Sequence, residues 1–315
     1  MLWAIFPILA QLFYTSGSYI QNYLTDFAFP KKKGGALIAA HIPLFIFILL
    51  ILFAIFGRTV FVLPLHNAIG LIVAGAVNVV GSAYYYKAFQ EGDAADVVVI
   101  SQLSPLVTLG LGAAILGETI SANQGIGILL IMAAALLIVF GNMSKRERNN
   151  PNIKVAVITI IGMFFSNFSD IIYALYIKDF TADLSILCRG MFFFYIGSAL
   201  AATVCFICFT SWRKALKTAF VKSRNRSRNT LALVGDSLLF MFGEFVYKYG
   251  LLIVPVIAMM SAVGKVTSLF VSLFFTIFLG RIFPKFIHSK RITRKVAFRY
   301  MIAAVLIVSG ILIMN

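Results

Sequence analysis

The sequence predicts an all-α integral membrane protein of ten transmembrane helices in two inverted five-helix repeats. Three observations lead there. The 315 residues are 61% hydrophobic and 12% charged, with a mean hydropathy of +0.97, which leaves too few polar groups to clothe a water-soluble globule of this size. The apolar residues fall in continuous runs of about 20, the length a helix needs to cross a hydrocarbon layer about 30 Å thick. Segments of the first half recur in the same order in the second.

Continuous runs exclude barrel strands, which alternate and are about ten residues long. The first run, 2–24, has neither a basic leader nor a small-residue cleavage site and reads as a retained span. The second, 36–57, follows Lys31 to Lys33, and the third, 66–88, ends in "AYYYK". The fourth and fifth, 95–117 and 121–141, meet at Gly117-Glu118-Thr119. Glu118 is the one charge between Asp96 and Lys145; it is expected at a hairpin turn on the membrane face, with Ser121 capping the next helix. A linker, 142–152, leads to spans at 153–176, 184–209, 231–251, 254–280 and 297–314. The repeats are therefore 1–141 and 153–315.

Lysine and arginine fix an expected topology. Odd-numbered loops carry Lys31 to Lys33, Lys145 to Lys154, Arg213 to Arg228 and Arg281 to Arg299; the even loops hold little beyond Arg58, Lys178, Arg189 and Lys248. Basic loops stay cytoplasmic, which places both termini outside. The net charge of +16 is thereby read as orientation and contact with anionic lipid, and not as nucleic-acid binding, because the basic residues are scattered over short loops. The stretch "WRKALKTAFVKSRNRSRN" is the long basic run, fit to lie on the cytoplasmic leaflet. Cys188, Cys205 and Cys208 sit in or beside one apolar segment, with no histidine cluster near them in sequence, so they read as packing residues.

The repeat is visible residue by residue. Phe13, Ser18 and Leu24 match Phe164, Ser169 and Leu175, Asp26-Phe27 matches Asp179-Phe180, Tyr86-Lys87 matches Tyr247-Lys248, and Leu116-Gly117 matches Leu279-Gly280. An odd number of spans per copy inserts the copies in opposite orientations.

The segment "ISQLSPLVTLGLGAAILGETISANQGIGILLIMAAALLIV" resembles the closing part of the EamA repeat of the drug/metabolite transporter superfamily: a span with a small-x-x-Pro pattern, then Gly-Glu, then a Gly-rich span. In the second copy Arg281 and Ser268 stand where Glu118 and Pro105 stand in the first. The resemblance implies a transporter with a central cavity between the halves, walled largely by the third, fourth, eighth and ninth spans. It also implies, for many relatives, cytoplasmic termini.

Polar side chains within spans carry the chemistry, since each is costly there. Gln11, Tyr14, Ser18 and Gln21 form one stripe of the first span, which serves equally as helix-to-helix glue or as cavity lining. Asn78, Ser82, Tyr85 and Phe89 form another. The tyrosines beside them read as interface anchors, Tyr85 excepted, because it shares the Asn78 face. In the sixth span Asn167 and Asp170 are candidates. Asp236 and Glu244 lie along the eighth, Glu244 with a local partner four residues on in Lys248. Lys265, mid-way along the ninth span, has no partner at that spacing. It aligns with Gln102 in the first copy, so both are assigned to the cavity. The alternative for Lys265 is a structural pair with a carboxylate of another span.

No HExxH, GxSxG or Walker motif is present, and His41, His66 and His288 are far apart in sequence. The expectation is a non-enzymatic carrier without cofactor, monomeric or homodimeric, in a prokaryotic cytoplasmic membrane. It would move a small polar metabolite by alternating access, with proton coupling through Asp170, Asp236 or Glu244 open. Both signs of charge, amides and tyrosines suit an amino-acid-like solute. Phosphorylated, nucleotide-linked and lipid-linked substrates are the alternatives within transport; a receptor or scaffold is the alternative outside it.

Overall fold

The structure, a computed structural model, describes residues 2–24, 28–29, 35–91, 94–142, 153–178, 180, 183–282 and 294–314. The Asp26 and Asp179 matches, most of the 142–152 linker, the Lys31 to Lys33 loop and much of the Arg281 to Arg299 loop lie outside these residues. The described chain is helical, with no strand. Helix satisfies every backbone polar group within the segment, as an apolar surrounding demands.

In chain order the helices are α1 (Ile5–Tyr23), α2 (Ala36–Ala40), α3 (Ile42–Phe56), α4 (Leu65–Glu91), α5 (Ala94–Ser101), α6 (Ser104–Leu111), α7 (Ala122–Asn142), α8 (Ile153–Ile177), α9 (Leu184–Cys208), α10 (Thr210–Leu216), α11 (Arg226–Ile253), α12 (Ile257–Ile282) and α13 (Arg294–Met314). By length and composition, seven helical stretches among the described residues can cross a membrane: 36–62, 65–91, 122–140, 153–177, 184–208, 226–253 and 257–275. Ser104–Leu116 and Phe298–Met314 are shorter apolar helices.

Several local expectations have concrete form. Gly117 adopts φ +65°, a left-handed conformation that ends the α6 segment as glycine does most cheaply. Four residues on, the Ser121 hydroxyl accepts from the Gln124 amide N–H at 3.2 Å, while the Gln124 side-chain oxygen accepts from the Ser121 N–H at 2.9 Å. That reciprocal pair is a capping box, and it starts α7. The long basic run forms α10 and the π-helical turn that follows it, with Ala215 and Ala219 buried against Leu24, Ala36 and Leu37. Arg213, Lys214, Lys217 and Lys222 stay exposed on the other face.

Packing pairs α4 with α8, α7 with α13, α1 with α11, and α9 with α4. The α4–α9 crossing is the tightest. A methyl group on Gly197 would strike the Ile72 carbonyl, and one on Gly75 the Phe194 carbonyl. The Ser198 hydroxyl donates to the Gly75 carbonyl at 3.2 Å across the same seam. Small residues thus let two backbones meet where lipid offers no hydrophobic drive. Gly197→Ala should lower stability by about 1–3 kcal/mol, seen as a reduced Tm in detergent. Gly110→Ala is the control, because nothing lies within 4 Å of its added methyl.

Candidate functional site

Two polar groupings occupy the interior, and both centre on α11. Its sequence places Asp236, Glu244 and Lys248 at spacings of eight and four, so all three fall on one helical face. That face turns inward, and Asp236, Glu244 and Lys248 are all buried.

In the first grouping the Lys248 ammonium donates to Asp170 of α8 at 2.5 Å. It also lies 4.8 Å from the Tyr173 ring centre and 4.7 Å from that of Phe194. Both are cation–π distances. The predicted local pair of Glu244 with Lys248 is corrected in part: among the described residues the lysine forms its ion pair with Asp170 of another helix and is buried, while its charge still acts on Glu244. Glu244 instead accepts from the Tyr14 hydroxyl of α1, and the Tyr247 hydroxyl donates to Asp170. One Glu244 carboxylate oxygen and the hydroxyls of Tyr173 and Tyr195 are buried without a hydrogen-bond partner among the described residues. Such atoms are costly unless something else meets them.

The second grouping lines a small cavity of about 40 Å³. Its walls are Gln21 of α1, Ile38 of α2, His41 between α2 and α3, Phe45 of α3, Asn78, Ser82 and Tyr86 of α4, Phe194, Tyr195 and Ser198 of α9, and Phe240 of α11. Phe194 and Tyr195 belong to both groupings and join the cavity to the Lys248 cluster. Asp236, fully buried, is 3.1 Å from His41 Nε2. The cavity lies toward the end of the bundle that carries α10, because Gln21, His41 and Tyr86 all sit near the helix ends on that side.

The expected wall is thus only partly the observed one. The third and eighth spans contribute, while the fourth and ninth are drawn against each other instead. The Ser104 hydroxyl donates to Asn167 Oδ1 at 2.9 Å and lies 3.2 Å from the Ser261 hydroxyl, knitting α6, α8 and α12.

The named candidates divide accordingly. Tyr14, Asp170 and Glu244 gather around Lys248; Asn78 lines the cavity, with Asp236 buried behind its wall against His41; Asn167 joins the Ser104 knot. Gln11 packs against Gly264, the residue before Lys265, one turn along α1 from Tyr14. Gln102 sits at the break between α5 and α6, its amide N–H donating to the Val98 carbonyl and its oxygen buried without a partner. Ser18 is exposed and bonds back to the Tyr14 carbonyl. Tyr85 stacks edge-on with Phe89, away from the cavity. Lys265 is half-buried and takes part in no ion pair among the described residues. Among the described residues no three His, Cys, Asp or Glu side chains are grouped to hold a metal.

Sequence reasoning missed Lys248, His41, Tyr86, Tyr173 and Tyr195. A lysine three residues from a predicted span end looked like a loop anchor. The usable signal was its spacing from Asp236, which an inward face requires.

At the opposite end of the bundle the Glu118 carboxylate pairs with Lys178 Nζ at 3.1 Å and accepts from the Ile257 N–H at 3.2 Å. It therefore ties the α6–α7 turn to the end of α8 and caps the first turn of α12.

Residues 1–140 match the EamA-like transporter family. An uncharacterised protein of Methanocaldococcus jannaschii, MJ1333.1, is 35% identical over 71 residues, which cover 22% of this chain and 52% of that protein. The match thus spans about half the length of the curated relative. A crystal structure of a protein with 14% identity superposes with a TM-score of 0.67, covering 99% of this chain and 94% of the other, a likeness of fold.

Proposed function

We propose, from the premise that the chain is an EamA-type transporter of the drug/metabolite transporter superfamily through its residues 1–140, that it carries an amino-acid-like solute across a membrane by alternating access. The observation that carries the solute class is the buried, unpartnered set formed by the Glu244 carboxylate oxygen and the Tyr173 and Tyr195 hydroxyls. One acceptor oxygen and two hydroxyls make a receptor for an ammonium group attached to an apolar body. Half-buried Lys265, without an ion-pair partner of its own, is the group assigned to the solute carboxylate.

Alternating access is supported by two features. The helix pairs exchange when the halves are exchanged: α4 with α8 against α11 with α1, and α6 with α8 against α12 with α1. That is the packing two inverted five-span copies would give. The cavity lies toward one end of the bundle while Glu118 joins elements at the other, as in a carrier open to one side.

A thermal-shift screen of the purified chain against amino acids, amines, sugars, nucleotides and phosphorylated metabolites tests the class. Binding to the folded state raises Tm by mass action, by about 2.7 kcal/mol of stabilisation at a hundredfold excess over Kd. Amino acids should shift Tm, and uptake of the same labelled amino acids into proteoliposomes should follow. Lys265→Gln should keep its unliganded Tm and lose the shift. A shift with nucleotides alone would overturn the solute class; an unchanged shift in Lys265→Gln would remove Lys265 from the site.

A further inference from the structure

His41 sits at the one-residue break between α2 and α3, and both of its ring nitrogens face acceptors. Nδ1 is 2.6 Å from the Leu37 carbonyl oxygen, so Nδ1 carries a proton and donates. Nε2 is 3.1 Å from Asp236 Oδ2. If the imidazole were neutral with its proton on Nδ1, and the carboxylate ionised, two lone pairs would confront each other inside a low-dielectric interior. The arrangement is satisfied only with one proton between them, on the imidazole or on the carboxylate.

We propose that His41 and Asp236 form a proton-binding site on the cavity wall, which takes up one proton from the cavity water and releases it there. The reading deepens the transport assignment and rests on it only for the coupling. Three observations support it. Asp236 is fully buried, and its other oxygen, Oδ1, has no hydrogen-bond partner among the described residues. Gly17 of α1 leaves room beside that oxygen, since a methyl there would stand 3.0 Å from it. His41 itself lines the cavity, the side from which the proposal brings the proton.

The groups that face the pair are few. α4 brings Tyr86, α9 brings Tyr195, α1 brings Gly17 and Gln21, and α3 brings Phe45. Along α11 itself the next titratable groups are Glu244, Tyr247 and Lys248, with Asp170 across from them. No fixed cation stands beside Asp236 among these, so its partner charge is the proton itself. Loss of that proton removes the hydrogen bond between α11 and the α2–α3 break. His41 has helical backbone angles where α2 passes into α3, with Pro43 in the first turn of α3, so the proton governs a contact between this span and α11. Binding of a cationic solute amine nearby and binding of a proton here oppose each other electrostatically, which is the condition for exchange of one for the other.

The full chain reconstituted in lipid, without any solute, gives the direct test by infrared difference spectroscopy on titration from about pH 5 to about pH 9. Wild type should show one exchangeable proton with carboxyl and imidazole signatures that vary together. Asp236→Asn and His41→Gln should each abolish both signatures. If Asp236→Asn fails to fold, His41→Gln decides alone: persistence of the coupled signal there, or its absence from wild type, overturns the proposal. Coupling is read separately. A pH gradient across proteoliposomes should accelerate uptake of a labelled mixture of the twenty amino acids in wild type and not in His41→Gln. No uptake by wild type in either condition would sink the solute assignment while leaving the proton site standing; uptake indifferent to the gradient would restrict the site to proton binding and overturn its coupling.

Discussion

Lys248→Met should cost about 3–5 kcal/mol of stability. The ammonium is 1% exposed, held at 2.5 Å by Asp170, and sandwiched by the rings of Tyr173 and Phe194. Methionine retains the length and the contact with the rings. What it removes is the counter-charge of Asp170, whose side chain is 18% exposed and keeps, among the described residues, the Tyr247 hydroxyl. Breaking one half of a buried pair leaves an uncompensated charge, and that penalty exceeds the net worth of the pair itself. The double variant Lys248→Met with Asp170→Leu should therefore recover most of the loss, because removing both partners removes both desolvation costs. Chemical or thermal unfolding in detergent, with the two singles and the double, closes the cycle. A Lys248→Met variant within about 1 kcal/mol of wild type would show that the ammonium is solvated through the cavity and not held by Asp170.

The sequence spoke clearly about what depends on one-dimensional length and composition. Runs of about 20 apolar residues read directly as helices, and the Gly117 turn with its Ser121 cap was legible because turn and cap chemistry is local. Much less of the site could be read. Glu244 and Lys248 satisfy the i to i+4 rule, yet the rule states only who can meet on one helix. Asp170 reaches the ammonium from another helix at 2.5 Å, a contact that a rule about one helix does not contain. His41 gave no signal at all, since its partner lies 195 positions away. Tyr85 and Tyr86 illustrate the same limit: consecutive residues on a helix point about 100° apart, and only packing of α4 against α8 and α9 decides which ring meets the cavity. Even Lys265, the lysine that stands out most in sequence, owes its standing to what it lacks, an ion-pair partner among the described residues.

Glu118→Ala should open the end of the bundle that Glu118 closes. In sequence the residue looks like an ordinary charge at a turn, and a turn charge contributes little. In the structure its carboxylate, whose side chain is 8% exposed, bridges Lys178 and the Ile257 N–H. One contact is an ion pair between the two halves, and the other is a charged cap on the first turn of α12, where a negative group is favoured by the helix dipole. Hydrogen bonds to charged groups are worth about 1.5–3 kcal/mol each, so under the proposed alternating access the loss of even one shifts the balance between closed and open forms by roughly ten- to a hundredfold. The consequence is measurable without knowing the solute. With Cys188, Cys205 and Cys208 replaced by Ala, a single cysteine at Met259, which is 1% exposed, should react with a membrane-impermeant maleimide at least about tenfold faster in Glu118→Ala than in the parent. Thr119→Ala, its neighbour on the same turn, should leave the rate unchanged. Glu118→Gln should fall between, since the amide oxygen still caps Ile257 but no longer holds Lys178 as an ion. Equal labelling of Met259→Cys with and without Glu118 would mean that this end is closed by the packing of α6 on α12 alone, and that the Gly-Glu turn is structural after all.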